Sequence, residues 1–253
     1  MRKALVLAAV MGGVALTGCK TMDTGSIGGM MESGSSAVKA LSLSDSDVVT
    51  LSNESCEALD AGNKIAPANN KYSQRLNKVI SKMPKEIDGK KAIYKVYLTQ
   101  DVNAWAMANG CIRVYSGLMD LMNDDELRGV IGHEIGHVAL GHSKKAMQTA
   151  YATSAVRQAA ASSGGALSSL SRSEAGAVGE KFLNAQFSQS QETDSDNYSF
   201  DLLTKLKMER KGLVTAFQKL AKLGGGGGNS LMSSHPPSES RAQNMQSRLD
   251  GKK

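Results

Sequence analysis

At 253 residues, 41% of them hydrophobic and 21% charged, the chain is of ordinary size for one domain with a real core. Its formal net charge of +6 is mild. No basic run with interleaved aromatic residues occurs, which argues against a nucleic-acid partner.

The chain opens Met-Arg-Lys and continues ALVLAAVMGGVALTGC. A charged start, an apolar run and a small-residue exit make residues 1–18 a secretory signal peptide. The apolar run is too short for a comfortable membrane span. Leu16-Thr17-Gly18-Cys19 resembles a bacterial lipobox, in which cleavage falls before the cysteine and the thiol is lipidated. An ordinary signal peptide with an incidental cysteine is the alternative. Acyl chains on Cys19 would anchor the protein to a bilayer without spanning it. By resemblance to enterobacterial lipoproteins, Lys20 favours sorting to the outer membrane, facing the periplasm. Losing Arg2 and Lys3 with the signal takes the formal charge from +6 to +4. Residues 19–45 then read as a lipidated cysteine and a flexible tether rich in Gly, Ser, Thr and Met, and residues 46–253 as the folded domain. Cys56 and Cys111 remain, and two such cysteines often pair in an oxidising periplasm. Two separate buried thiols are the other reading.

The segment around Cys56 is poorly patterned. From Asn69 to Met83, Tyr72, Leu76, Val79, Ile80 and Met83 recur at helical spacing, and Pro84 closes the run. Residues 92–99 alternate as a strand. Residues 103–107 and 112–115 flank Asn109-Gly110, a strong hairpin signal. Asn123 caps the next helix, with Glu126 completing a capping box. After His142 comes a stretch rich in Ala, Ser and Gln, broken at Ser162-Ser163-Gly164-Gly165 and suited to a lid or loop. Helices follow from about Ser188 to Leu206 and from Leu213 to Leu223. Gly224 to Gly228 form a hinge or loop, and a helical tail runs from Ser238 to Leu249. Helices dominate, with a small sheet before the helix that begins after Asn123: an α+β domain.

That helix carries His133-Glu134-Ile135-Gly136-His137. Residues four apart share a helix face, so two imidazoles can hold one metal ion while Glu134 meets a water on it. A catalytic zinc usually takes three protein ligands. His142, nine positions after His133, points to the opposite side of a continuous helix and is expected near its end, where the dipole favours it. A carboxylate on another helix is the better third ligand. SQSQETDSDNYSFDLL offers Glu192, Asp194, Asp196 and Asp201. Glu192 and Asp196 share a face, so Glu192 suits a ligand and Asp196 a hydrogen-bond partner of a ligand imidazole. The same residues read equally well as a solvated acidic helix start. Trp105, the only tryptophan, reads as core or hairpin packing.

HEIGHVALGH, then Glu192 to Asp196 as E-x-x-x-D, then His235-Pro236 with Arg241 nearby, resembles in order the family of the CAAX prenyl endopeptidases and the heat-shock membrane protease HtpX. NAWAMANGCIRVYSGLM looks like that family's strand pair before the active helix. The likeness covers roughly Lys71 to Arg248, and the lipobox points to a lipid-anchored branch. The resemblance implies a mainly helical, gluzincin-like zincin fold over residues 46–253. It implies one Zn²⁺ held by His133, His137 and Glu192, Glu134 as catalytic residue, and Asp196 behind the ligands. His235 and Arg241 match an element close to the metal that binds substrate or stabilises the transition state. It implies an extended substrate beside residues 103–107. The polar stretch from His137 to Glu192 departs from HtpX, since it cannot hold HtpX's membrane helices. The expectation is a zinc endopeptidase at the outer membrane that acts on unfolded or misassembled envelope proteins, with another envelope protease as a further partner. A non-cleaving assembly or binding factor and a structural lipoprotein are the alternatives. An intact Glu134 argues against the first, and the metal-type clusters against the second.

Overall fold

The computed structural model describes residues 43–154, 170–223, 231–235 and 239–252. The expected signal peptide, Cys19 and most of the tether lie outside these residues, as do the break at Ser162 to Gly165 and the five glycines.

The first helix among the described residues, α1 (Asp45–Gly62), runs through the segment that looked unpatterned. It begins in a capping box, in which Ser44 accepts from the Asp47 amide and the Asp47 carboxylate accepts from the Ser44 amide. Its buried positions are Val48, Leu51, Ser52, Ser55, Cys56 and Leu59. That is helical spacing, masked in the sequence because two serines stand among the apolar residues. Helix α2 (Lys71–Val79) starts at the Asn70 cap and stops at Ile80, short of Pro84. A hairpin of β1 (Glu86–Ile87) and β2 (Lys90–Lys91) follows.

The central sheet holds β3 (Ile93–Tyr97), β4 (Ala104–Ala106) and β5 (Cys111–Tyr115) in the order β3-β5-β4. The β4–β5 pair is the expected hairpin, and Gly110 supplies the turn's positive φ of 82°. β5 pairs in parallel with β3. All five residues of β5 are buried because each face meets a core. Ile112 and Val114 join the larger cluster with Leu127, Ile131 and Ile135. Cys111 and Tyr115 join a second cluster with Leu51, Leu59 and Trp105.

Helices form the rest: α3 (Ser116–Leu121), α4 (Asp124–Ala139), α5 (His142–Ala152), α6 (Arg172–Leu183), α7 (Gln189–Lys205), α8 (Lys211–Leu223), α9 (Leu231–Ser234) and α10 (Glu239–Leu249). The domain is α+β and mainly helical, as expected. Where a lid or loop was expected after His142, α5 and α6 flank the undescribed residues. α6 packs on α1, with Gly179 lying against Leu59 and Ser55. The Cys56–Cys111 disulfide forms and ties α1 to β5. No helix among the described residues is long and apolar enough to cross a membrane.

Candidate metal centre

Helix α4 begins in the expected capping box. Asn123 accepts from the Asp125 and Glu126 amides, and the Glu126 carboxylate accepts from the Asn123 amide. Every residue from Gly129 to Val138 is buried. α7 lies closely along α4 because two glycines permit it. A Cβ on Gly132 would sit 2.4 Å from Ser199 Oγ, and one on Gly136 would sit 3.1 Å from the Ser195 backbone. This contact carries Glu192 and Asp196, on the buried face of α7, to the histidines of α4. The solvated-start reading of that segment therefore does not hold at these two positions. Asp194 is exposed, and Asp201 pairs with Arg248 at the surface.

Four buried donors converge: His133, His137, Glu192 and His235, with their ligand atoms within 4.8 Å of one another. His133 Nε2 lies 3.0 Å from His137 Nε2 and 3.2 Å from His235 Nδ1. Glu192 Oε1 lies 3.3 Å from His137 Nε2 and 2.9 Å from His235 Nδ1. Three ring nitrogens and a carboxylate oxygen directed at one buried point form a donor set suited to zinc. Beside it Glu134 Oε1 is buried without a hydrogen-bond partner, 3.6 Å from His235 Nε2. An orphaned carboxylate oxygen at that place fits a metal site whose water completes the polar contacts. Burial pushes the Glu134 carboxyl up, against the pull of His235 and His133. Burial also opposes ionisation of Glu192, but the facing His235 and His133 outweigh it and hold its carboxyl far below the usual range. Burial drives His137 well below the ordinary imidazole value, which keeps its ring neutral.

The groups behind the donors are equally placed. Asp196 Oδ1 lies 2.8 Å from His133 Nδ1, and Arg241 forms a two-pronged pair with Asp196 at 2.7 and 2.8 Å. Arg241 Nη1 also sits 2.8 Å from Glu192 Oε2, and the guanidinium lies over the Phe217 ring at 4.3 Å. Arg241 therefore touches the carboxylates rather than the open side of the site. The structure brings His235 into the donor set itself.

His142 departs from the expectation. The helix is not continuous: α4 ends at Ala139, Gly141 adopts φ 74°, and His142 is the first residue of α5. His142 thus stands at the N-terminal end of a helix, where the dipole disfavours a cation. The turn returns its Nδ1 to 3.1 Å from His137 Nδ1.

A cavity beside the donors is lined by Trp105, Ala106, Glu134, Phe182, Leu183, Phe187, Ser234 and His235. Trp105 is buried against Tyr97, as its core reading required, and its rim also faces this cavity. β4 is the sheet edge on that side, and the Ala106 carbonyl accepts from Ser143 at 2.7 Å. Phe187 stacks on His137 with ring centroids 3.9 Å apart. Sequence reasoning passed over Phe182 and Phe187, because isolated aromatics in a polar stretch carry no spacing signal.

The family model of peptidase family M48 matches residues 70–249. The chain is 51% identical over 249 residues to the metalloprotease LoiP of Escherichia coli K12, with 98% of each chain covered. It is 46% identical over 245 residues to the metalloprotease YcaL of the same organism, covering 97% of this chain and 96% of that one. A mitochondrial metalloendopeptidase, OMA1 of Arabidopsis thaliana, is 28% identical over 143 residues, covering 56% of this chain and 28% of its own length.

Proposed function

Because this chain belongs to peptidase family M48 and is a zinc metalloprotease, we propose that it works as a lipid-anchored endopeptidase of the outer membrane, facing the periplasm. Its substrates there are unfolded or misassembled envelope proteins. The observation that carries the catalytic assignment is the buried donor group with the bare Glu134 oxygen at its rim. The anchoring rests on Leu16-Thr17-Gly18-Cys19 after a short apolar run, and the outer-membrane address on Lys20.

In this reading His133, His137 and Glu192 hold the zinc, and His235 lies within reach of the same ion. Zinc bound there would polarise the scissile carbonyl and make water acidic enough to attack near neutral pH. Glu134 accepts the proton of the attacking water and returns it to the leaving amine. Its raised carboxyl pKa suits that exchange. Asp196 holds the His133 ring through Nδ1, and Arg241 bridges the two buried carboxylates and offsets their mutual repulsion. β4, whose Trp105 and Ala106 line the same cavity as Glu134 and His235, is the strand beside which an extended peptide would lie.

Purified protein should degrade an unfolded substrate, stop when a chelator is added and resume with zinc. Glu134→Gln should keep the metal and lose about 10²- to 10⁴-fold in turnover. Tight substrate binding without cleavage by the zinc-loaded wild type would favour the assembly-factor reading instead.

A further inference from the structure

His133 and His137 present Nε2 to the donor group, and each is left with Nδ1 on its outer side. On His133 that nitrogen meets the Asp196 carboxylate at 2.8 Å. On His137 it meets no carboxylate. The atom within hydrogen-bond distance is Nδ1 of His142, at 3.1 Å. A histidine bound to a metal through Nε2 carries its proton on Nδ1, and an acceptor there fixes both tautomer and ring direction. Two rings facing through Nδ1 satisfy this only when one donates and the other accepts.

We infer that His142 is a positioning residue for the metal centre: a neutral imidazole, protonated on Nε2, whose Nδ1 accepts the Nδ1 proton of His137. The local fold supplies the geometry. Gly141, at φ 74°, breaks α4 and restarts the chain as α5, so His142 lies over the outer edge of His137. Ser195, fully buried on α7, lies with its Oγ 3.3 Å from the same His142 nitrogen, so its hydroxyl is the longer, competing donor for that one lone pair. Phe187 stacks on the His137 face. His137 is thus held at its edge by His142 and on its face by an aromatic ring. The two ligand histidines have unlike orienters, one anionic and one neutral.

The inference rests on His137 as a zinc ligand, and the test separates the two claims. Zinc affinity is measured on the full mature chain by competition with a chromophoric chelator, for wild type, His137→Ala, His142→Ala and His142→Asn. His142→Ala should still take up one equivalent at saturating zinc, with affinity lowered about 10- to 100-fold. His142→Asn, which keeps an acceptor, should recover part of that loss. The proton NMR spectrum of the zinc-loaded protein should show the downfield His137 Nδ1 proton in wild type, and it should exchange rapidly in His142→Ala. A residue that merely started α5 would lower the melting temperature of the metal-free protein without moving either readout. Wild-type zinc affinity and an undisturbed imidazole proton in His142→Ala would overturn the inference. Full zinc retention by His137→Ala would overturn the ligand assignment beneath it.

Discussion

Glu192 is the residue on which the metal centre turns, because it is the donor contributed from outside α4 by a regular helix. Its carboxylate is buried, approached by three imidazoles and held by Arg241 Nη1. Asp194, two residues on, is exposed because two steps along a helix swing a side chain by about half a turn. Zinc content of purified Glu192→Ala should collapse, whereas Asp194→Ala should bind one equivalent with unchanged affinity. Full zinc retention in Glu192→Ala would sink the assignment. The residue scale also shows the limit of helical phase as a guide. Phase excluded His142 as a ligand, and it is not among the four donors, but Gly141 ends the helix first and turns His142 back toward His137.

At the scale of elements, the α4–α7 contact decides whether the donors meet. Ser199 Oγ donates to the Gly129 carbonyl at 2.8 Å, so α7 is bonded to α4 as well as packed on it. Gly132→Ala would bring a Cβ against that hydroxyl, and Gly136→Ala would bring one against the Ser195 backbone. Each should cost about 1–3 kcal/mol of stability as an overpacked site, and each should weaken zinc binding by moving Glu192. The two differ in rescue. Ser199→Ala removes the atom that Gly132→Ala strikes, so the double variant should melt closer to wild type. Gly136→Ala meets backbone, and no side-chain deletion on α7 should relieve it. Thermal melts of the four proteins test this coupling, and strict additivity in the Gly132–Ser199 pair would refute it.

For the whole molecule, the disulfide sets which layers of the domain are joined. The Cys56–Cys111 bond spans 55 residues and fastens the α1–α6 layer to the sheet. It lies beside buried Arg113, which Asp60 holds through two hydrogen bonds and which reaches Cys56 Sγ at 3.0 Å. For a loop of this length the chain-entropy model gives about 4 kcal/mol. Reduction should therefore lower the melting temperature while zinc stays bound at moderate temperature, since neither cysteine touches the donors. Loss of zinc on reduction at 25 °C would contradict this. The proposed lipid anchor has its own test: Cys19→Ser should lose acyl labelling and membrane fractionation. Unchanged association through detergent-free washes would argue for another anchor.

What the sequence by itself determined is what neighbouring residues settle among themselves. The Asn123–Glu126 capping box, the Asn109-Gly110 turn and the i, i+4 pairs His133/His137 and Glu192/Asp196 each depend on a few residues and a fixed helical or turn geometry. The α+β class followed from the same local signals. Tertiary structure decided which carboxylate stands opposite the histidines, because that depends on how closely Gly132 and Gly136 let α7 approach. It brought His235 into the donor set from 102 residues beyond His133. It turned His142 back onto His137 through one left-handed glycine. It made α1 a buried helix, with Ser55 interior against the close α6 surface. In each case a short-range rule supplied the side chain, and the packing of distant elements gave it a partner.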